Sequence, residues 1–336
     1  MTISGLGPHG ERAAPPERIS LLPDDRIAAK SAGWRVAIVL HTLESDWAKQ
    51  LVAGMVGIFG DCGAAVVDVV DCGFSPERQT AELDRLTADR PDAIISLPVA
   101  NEQVAAAHAR VSAAGIKLVL LDNAPTGLLP GKHYTALVSA DNFGLGKIAA
   151  AGLSPHISDG SEVGVLGFSA DFFATNEREI AFTKWLQTNR PDITPRVRRF
   201  ARIEDAADAA QALLHDHPAL AGLFVIWDTP ALAVADALDA RGVTLPMATV
   251  DLGEVAAIRL AKGDLIRCIA AQRPLQQGVA SAQTVILCLL GRPVPAWIAL
   301  PGIGVTRDNV VESFQTVWRQ PAPREVLRLL GLSRGT

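Results

Sequence analysis

Carboxylate, amide, guanidinium and aromatic side chains recur in this 336-residue chain where short apolar runs end. The clearest case is "GLFVIWDTP" at residues 222–230, where an apolar run stops at Trp227 and Asp228. Corresponding positions hold the other members of a candidate site, which are His41, Trp47, Asp122, Asn123, Arg178, Asp251 and Gln272. Planar polar groups can each engage two neighbouring hydroxyls, and an aromatic face can cover the apolar side of a sugar ring. These residue types therefore suit a neutral, polyhydroxylated ligand.

Each of these residues also has an ordinary structural interpretation. Asp228 could cap the helix that follows it, and Asp122 and Asp251 could be turn residues. Both tryptophans of the set could fill the hydrophobic core. A cation such as Arg178 in the first turn of a helix opposes the helix macrodipole, so we expect another group to hold it. The clustering of all these residues at strand ends favours the ligand-binding interpretation.

The elements that must position these residues form a repeating pattern from Arg35 onward. The first five strand candidates are "RVAIVL", "AAVVDVV", "DAIISL", "KLVLLD" and "TALVSA", with helices predicted over residues 46–60, 76–88 and 101–114. The pattern restarts with "EVGVLGF", "RVRRF", "AGLFVI", "MATVDL" and "IRCIAA", with helices predicted over residues 176–189, 203–216, 230–240, 255–261 and 275–290. Continuous apolar strands separated by helices predict parallel sheets that are covered on both faces. The fold class is therefore α/β, with two doubly wound lobes whose ligands bind at the carboxyl ends of the strands.

Length and composition limit the classes of protein to consider. A chain of 336 residues exceeds the usual size of one hydrophobic core, so we expect two domains. The net charge of −5 argues against nucleic-acid binding, which needs a clustered excess of Lys and Arg. No apolar stretch reaches the roughly 18 residues that cross a bilayer. Residues 1–33 show neither the apolar core nor the cleavage site of a signal peptide, and we expect them to be a disordered lead.

Several motifs that would indicate an enzyme or a metal site are weak or missing. "GLGKIA" at residues 144–149 fits a loose dinucleotide fingerprint, but no acidic residue ends the next predicted strand. Phosphate-binding and nucleophile-elbow loops do not occur. "HDHP" at residues 215–218 is better explained as a helix end than as a metal site. The four cysteines lack CxxC spacing, and we interpret them as structural thiols. We therefore expect no cofactor, no metal and no catalysis.

Seven stretches, taken in order and spacing, resemble the type I periplasmic sugar-binding proteins of ABC transporters, the group of the ribose- and galactose-binding proteins. They are "VAIVLHTLESDWAKQLVAGM", "GIKLVLLDNAPTG", "VSADNFGLGKIAA", "NEREIAF", "LLHDHPALAGLFVIWDTPALAVADAL", "ATVDLGEV" and "IAAQRPLQQG". The resemblance covers residues 35–311. It implies a monomeric, periplasmic or cell-envelope protein that closes two lobes around one monosaccharide or polyol and delivers it to an ABC-transporter permease.

The same resemblance implies the domain boundaries. Residues 34–140 and 273–295 would form the N-terminal lobe, and residues 141–272 and 297–318 the C-terminal lobe. Three crossovers would lie near Ala140, Gln272 and Ala296. Residues 319–336 would be a peripheral tail.

By position, five residues look like functional residues of that family. Trp47 looks like the stacking aromatic of the first helix, and Arg178 looks like the hydroxyl-binding arginine. Asp122 and Asp251 look like the aspartates of the first and second lobes. Gln272 looks like the hinge glutamine.

The chain also departs from the family pattern in ways that limit the choice of sugar. Trp227 precedes Asp228 where ribose-type members usually carry an asparagine. His41 stands where a small polar residue is common, Asn123 stands where an arginine is common, and Ala48 replaces one of two neighbouring aromatics. We therefore expect that one stacking aromatic has moved to the second lobe, and that the ligand is sugar-like or polyol-like without being ribose in particular.

Two alternatives share part of this pattern. The ligand-sensing core of a lactose-repressor-type regulator has the same two lobes, but it would be preceded by a helix-turn-helix of roughly 50–60 residues. Residues 1–33 are too short and too rich in Gly and Pro for that domain. A nucleotide-dependent enzyme is the second alternative, and it depends on the weak "GLGKIA" motif.

Overall fold

The computed structural model describes residues 3–332, so the outermost ends of the expected lead and tail, residues 1–2 and 333–336, lie outside the described residues. The strands are β1 (Arg35–Leu40), β2 (Ala65–Asp71), β3 (Ala93–Ser96), β4 (Lys117–Leu121), β5 (Ala136–Ala140), β6 (Glu162–Phe168), β7 (Thr194–Phe200), β8 (Leu220–Val225), β9 (Met247–Val250), β10 (Ile266–Ala271), β11 (Trp297–Leu300) and β12 (Ile303–Val305). The helices are α1 (Pro23–Ala32), α2 (Asp46–Asp61), α3 (Pro76–Asp89), α4 (Ala105–Ala113), α5 (Asn142–Leu153), α6 (Phe173–Asn189), α7 (Ala206–Asp216), α8 (Asp228–Asp239), α9 (Glu254–Lys262), α10 (Pro274–Leu289), α11 (Val310–Trp318) and α12 (Arg324–Leu329).

The chain folds into two compact units. Within residues 3–332, the N-terminal unit consists of residues 3–140, 171–173 and 273–300, and the C-terminal unit consists of residues 141–170, 174–272 and 301–332. Two of the boundaries follow Ala140 and Gln272, where crossovers are expected. The remaining expected crossover follows Leu300 instead of lying near Ala296, because β11 pairs with β5 in the sheet of the N-terminal unit. Two further boundaries enclose residues 171–173, which also belong to the N-terminal unit.

The two units repeat one sheet topology. The N-terminal unit has six parallel strands in the order β11-β5-β4-β3-β1-β2, and the C-terminal unit has the order β12-β10-β9-β8-β6-β7. In the C-terminal sheet β12 departs from the parallel arrangement, since it runs antiparallel to β10. The prediction of two α/β units with doubly wound parallel sheets is confirmed.

Strand β1 shows why the interior strands of the sheet are apolar. Val36, Ile38 and Leu40 belong to one buried cluster, whereas the alternate residues Ala37 and Val39 belong to a second cluster on the other face. Side chains of a strand point alternately to its two faces, so both faces of the sheet are buried at β1. The carboxyl ends of such strands are therefore the places where polar residues become available for a ligand.

The starts of α2 and α3 follow from local capping, whereas the start of α6 does not. Ser45 Oγ accepts from Ala48 N at 3.2 Å, and Ser75 Oγ accepts from Arg78 N at 3.1 Å, so α2 and α3 begin as expected. The predicted start of α6 at Asn176 is wrong, since the helix begins at Phe173. The N–H of Phe173 donates to Asn123 Oδ1 at 3.2 Å, so a side chain distant in sequence holds this end.

The prediction of a disordered lead is wrong for residues 3–33. Ile19 and Ala29, in a short 3₁₀ turn and in α1, are fully buried. Ala14 N donates to Trp297 O at 2.8 Å, and Ala299 N donates to Ala14 O at 3.2 Å. This segment thus pairs with β11, the edge strand of the N-terminal sheet, and satisfies some of its free backbone groups. Composition alone could not reveal this pairing, because it depends on a strand almost 300 residues away.

The tail predicted to be peripheral, residues 319–336, packs into the hydrophobic core within its described part, residues 319–332. Ala322 and Val326, which precede and form part of α12, are buried in a cluster with residues of α9 and α11. The C-terminal unit therefore includes α12 in its hydrophobic core.

Candidate functional site

Asp122 is the first residue after β4, and both oxygens of its carboxylate accept hydrogen bonds. It is only 3% exposed and has a positive φ of 51°. Asp122 Oδ1 accepts from Ala140 N at 3.2 Å, and Oδ2 accepts from Gln277 Nε2 at 2.8 Å. Asp tolerates the left-handed conformation better than most residues. The backbone and Gln277 together fix the direction of this carboxylate.

His41, directly after β1, forms an aromatic group with Trp47 of α2 and with Phe74, which follows β2. The ring of His41 lies edge-on to Trp47 at 5.8 Å and to Phe74 at 4.9 Å between centroids. Burial lowers the pKa of His41 to about 4, despite the opposing effect of the Asp71 carboxylate, so the ring is neutral near pH 7. Among residues 3–332, His41 Nδ1 and Trp47 Nε1 have no hydrogen-bond partner although both atoms are buried. A polar ligand could satisfy these two atoms.

Asn123 has a different environment from its neighbour Asp122. It is fully buried, its Nδ2 donates to Pro98 O at 3.1 Å, and its Oδ1 accepts from Phe173 N at 3.2 Å. Both ends of the amide are thus engaged by backbone. This arrangement favours a structural role for Asn123 over the ligand contact expected from the sequence.

Asp251 is the first residue after β9 and lies in the C-terminal unit. Its φ is 74°, and its Oδ1 accepts from Gln272 Nε2 at 2.7 Å. Burial raises the pKa of Asp251, whereas the positive charge of Arg178 and the hydrogen bond from Gln272 lower it. Gln272 Oε1 is buried and has no partner among the described residues. The structure thus brings two of the predicted site residues, Asp251 and Gln272, into direct contact.

Arg178 is buried in the same unit, with 5% of its surface exposed. Its Nε donates to Asn142 Oδ1 at 2.9 Å, and its Nη1 donates to Ile226 O at 3.3 Å. The expected partner that holds this cation is thus an amide at the start of α5, together with the backbone at the end of β8. Asn142 was not among the predicted site residues, although it lies in the quoted stretch "VSADNFGLGKIAA".

Asp228 is the first residue of α8. Its carboxyl group binds the start of the neighbouring helix α9 instead of capping α8. Its Oδ2 accepts from the N–H of Gly253, the N-cap residue of α9, at 3.1 Å. Its Oδ1 accepts from Thr229 Oγ1 at 3.3 Å. Burial, with a further contribution from the Asp251 carboxylate, raises the pKa of Asp228 to about 7. The two carboxyl groups therefore titrate as an interacting pair.

Trp227 occupies the N-cap position of α8, where it makes no capping hydrogen bond. It is partly exposed, and its ring lies 5.3 Å from that of Phe168 and 5.4 Å from that of Phe200. A Ser, Thr, Asp or Asn at an N-cap typically stabilises a helix by about 1 kcal/mol relative to a residue that cannot cap. The indole at this position therefore contributes packing and an apolar surface instead of a cap.

The glycines of "GLGKIA" are explained by close packing within the C-terminal unit. A Cβ atom on Gly146 would lie 2.3 Å from the carbonyl oxygen of Arg178, and a Cβ on Gly144 would lie 2.4 Å from Asp141 Oδ2. Asp141 caps α5 by accepting from Gly144 N at 2.9 Å. The motif thus lets α5 begin tightly and lets α6 approach it at Arg178, which accounts for both glycines without a phosphate.

The remaining motifs yield no further site in the part of the chain that the structure describes. Within residues 3–332, no helix has the length and apolar character needed to cross a membrane, and no group of three or more His, Cys, Asp or Glu side chains could hold a metal ion. His215 lies in the last turn of α7, as expected for "HDHP", and His217 Nδ1 lies 3.4 Å from Glu162 Oε2. All four cysteines are free thiols.

The family of the chain follows from a comparison with protein-family models. The model of the periplasmic binding protein domain matches residues 36–293. The chain therefore belongs to this family of binding proteins. Among its curated relatives is the ribose import binding protein RbsB of Bacillus subtilis, which is 24% identical over 266 residues, or 79% of this chain and 85% of the relative.

Solved structures with the same fold include transport proteins of Agrobacterium and Mycobacterium. An ABC transporter solute-binding protein from Agrobacterium vitis, bound with α-D-tagatopyranose, has a TM-score of 0.78 and 23% identity and covers 87% of this chain and 100% of its own. A solute-binding protein from Mycobacterium smegmatis, with bound glycerol, has a TM-score of 0.75 and 22% identity and covers 83% of this chain and 96% of its own. These likenesses establish a shared fold.

Proposed function

We propose that this chain is a non-enzymatic solute-binding protein that captures a monosaccharide, a polyol or a related small hydroxylated compound for uptake by an ABC transporter. Asp122 of the N-terminal unit and Arg178, Asp251 and Gln272 of the C-terminal unit would hydrogen-bond the hydroxyls. Trp47 and Trp227 would contact the apolar faces. Asn123 leaves the set, because its amide is already engaged at both ends.

The observation that carries this proposal is the matched pair of aspartates. Each sheet presents one aspartate in the left-handed conformation directly after its third strand in spatial order, and a glutamine side chain donates to each carboxylate. Such preorganised carboxylates are well suited to accept two hydroxyl protons without reorganisation. Three buried atoms without a partner among residues 3–332 supply further hydrogen-bonding capacity, namely His41 Nδ1, Trp47 Nε1 and Gln272 Oε1.

The names of similar proteins support the same class of ligand and partner. The Bacillus relative is named a ribose import binding protein, and the structural neighbours are ABC transporter solute-binding proteins with a ketohexose or glycerol bound. A transporter permease would be the partner, and the chain would act outside the cytoplasmic membrane. In proteins of this class, closure around a ligand is driven by its higher affinity for the closed form.

The two alternatives receive less support. A dinucleotide-dependent enzyme depends on "GLGKIA", whose glycines are explained by the packing of α5. For the repressor-type alternative, residues 3–33 contain a β-bridge, a 3₁₀ turn and helix α1 packed on the N-terminal unit, and the similar proteins named above are transport proteins.

A thermal-shift screen against pentoses, hexoses, deoxyhexoses and polyols tests the proposal. A ligand that binds only the folded state must raise Tm, by an amount that grows with the ratio of its concentration to Kd. Isothermal titration with the best ligand should then show that Trp47→Ala in one unit and Asp251→Asn in the other each weaken binding of that same ligand at least tenfold. A flat response to the whole panel, with a shift from NAD or ATP, would favour the enzyme alternative.

A further inference from the structure

Three aromatic rings at the ends of three adjacent strands form one contacting cluster in the C-terminal unit. Phe200 ends β7, Phe168 ends β6, and Trp227 follows β8, in a sheet where these strands are neighbours. Phe168 and Phe200 are register partners, with ring centroids 5.6 Å apart, and both rings contact Trp227. We call these three residues the aromatic triad. Phe200 is buried, whereas Phe168 and Trp227 remain partly exposed.

The triad lies where a ligand is expected, since ligands of parallel sheets bind at the carboxyl ends of the strands. Trp227 is also present at a cost to its own helix, because an N-cap residue with a polar side chain would stabilise α8. Its polar neighbour Asp228 accepts from Gly253 N and Thr229 Oγ1, so both oxygens of that carboxyl already have donors. The rings of the triad themselves offer a ligand an apolar contact and no hydrogen-bond acceptor.

We propose that the aromatic triad selects a deoxy sugar, which presents a methyl or methylene group where the parent sugar carries a hydroxyl. This inference rests on the proposed function. A hydroxyl pressed against the triad loses its hydrogen bonds to water. The polar atom of the triad, Trp227 Nε1, is a donor only and accepts no hydroxyl proton. A methyl group gains contact with the rings and has no hydrogen bonds to water to lose.

Isothermal titration with matched sugar pairs tests this inference. The pairs are L-rhamnose with L-mannose, L-fucose with L-galactose, and D-fucose with D-galactose, and each pair differs by one hydroxyl. We expect at least one deoxy sugar to bind about tenfold or more tightly than its parent, which is the scale of discrimination that one such group gives in an apolar pocket. Trp227→Asn should reduce this preference to about twofold or less, whereas the control Trp227→Phe should retain most of it.

Each outcome has a defined meaning. A parent sugar or another polyol that binds as tightly as any deoxy sugar, or more tightly, overturns the inference and leaves the proposed function standing. A deoxy preference that persists unchanged in Trp227→Asn overturns its assignment to the triad. If Trp227→Asn does not fold, Phe168→Asn is measured in its place with the same expected loss of preference. Absence of binding by every sugar and polyol refutes the proposed function itself.

Discussion

Asp122 and Asp251 occupy the same place in two separate sheets. Each follows the third strand in spatial order, each has a positive φ, and each donates its N–H to the neighbouring strand, to Val138 O at 3.2 Å and to Ala270 O at 3.1 Å. A side chain in the left-handed conformation is uncommon and requires support from its surroundings. The repeated arrangement supports the proposal that both carboxylates bind ligand.

Asn and Ala substitutions at Asp251 distinguish the effect of the carboxylate charge from the effect of the positive φ. Asp251→Asn keeps a residue that tolerates positive φ, so we expect Tm to change little while ligand affinity falls at least tenfold, because charge-assisted hydrogen bonds are lost. Asp251→Ala should lower both affinity and the free energy of unfolding, the latter by about 1–2 kcal/mol. Thermal unfolding and titration of both variants check this expectation, and equal affinities of Asp251→Asn and wild type would contradict it.

The sequence could locate the candidate site because strand ends are visible as the ends of apolar runs. Asp122, Arg178, Asp251 and Gln272 were found in this way, and the last two are in direct hydrogen-bond contact. Whether these residues bind ligand stays a prediction.

What the sequence could not provide are contacts between distant segments. Asn123 holds the start of α6, and Gln277 holds Asp122 across 155 positions. Neither role follows from local spacing, since an amide after a strand or in a helix has many possible partners. For the same reason the sequence does not predict that residues 3–33 are ordered. Their folded structure depends on pairing with the distant strand β11.

Gly146 should couple helix packing to the position of Arg178. We expect Gly146→Ala to lower the free energy of unfolding by about 1–3 kcal/mol, because its methyl group would lie 2.3 Å from Arg178 O and must displace that segment. Ligand affinity should fall as well. The matched control is Gly57→Ala in α2, where a Cβ atom meets nothing within 4 Å. That variant should be neutral or more stable by up to about 1 kcal/mol, and a similar loss in both would refute the packing argument.

His108 should make the N-terminal unit sensitive to acid. It is fully buried, with Nδ1 2.8 Å from Val104 O and Nε2 2.9 Å from Ser96 Oγ, and burial lowers its pKa from the ordinary 6.5 to about 4. Between these values the unfolded chain binds a proton that the folded chain does not, so stability falls as the pH drops from 6.5 to 4. The loss from this group is about 3 kcal/mol.

The variant His108→Gln isolates that contribution. His41 acts in the same direction and Asp228 in the opposite one, so the informative quantity is the difference between wild type and variant. We expect the variant to lose less stability than wild type between pH 6.5 and 4, measured by denaturant unfolding at several pH values. Parallel pH profiles of the two proteins would show that His108 does not titrate as described.

Ile19 tests whether the segment before α1 is part of the folded N-terminal unit. Its side chain is 0% exposed and belongs to a core cluster with residues of β1 and α2, whereas Ile27 of α1 is 68% exposed. Removing buried methyl groups leaves a cavity, so Ile19→Ala should lower the free energy of unfolding by about 2–4 kcal/mol. The control Ile27→Ala removes the same atoms from an exposed position and should change stability by less than about 0.5 kcal/mol. Equal, small effects in both variants would mean that the segment does not pack on the unit, whereas a large effect of Ile19→Ala alone establishes that it does.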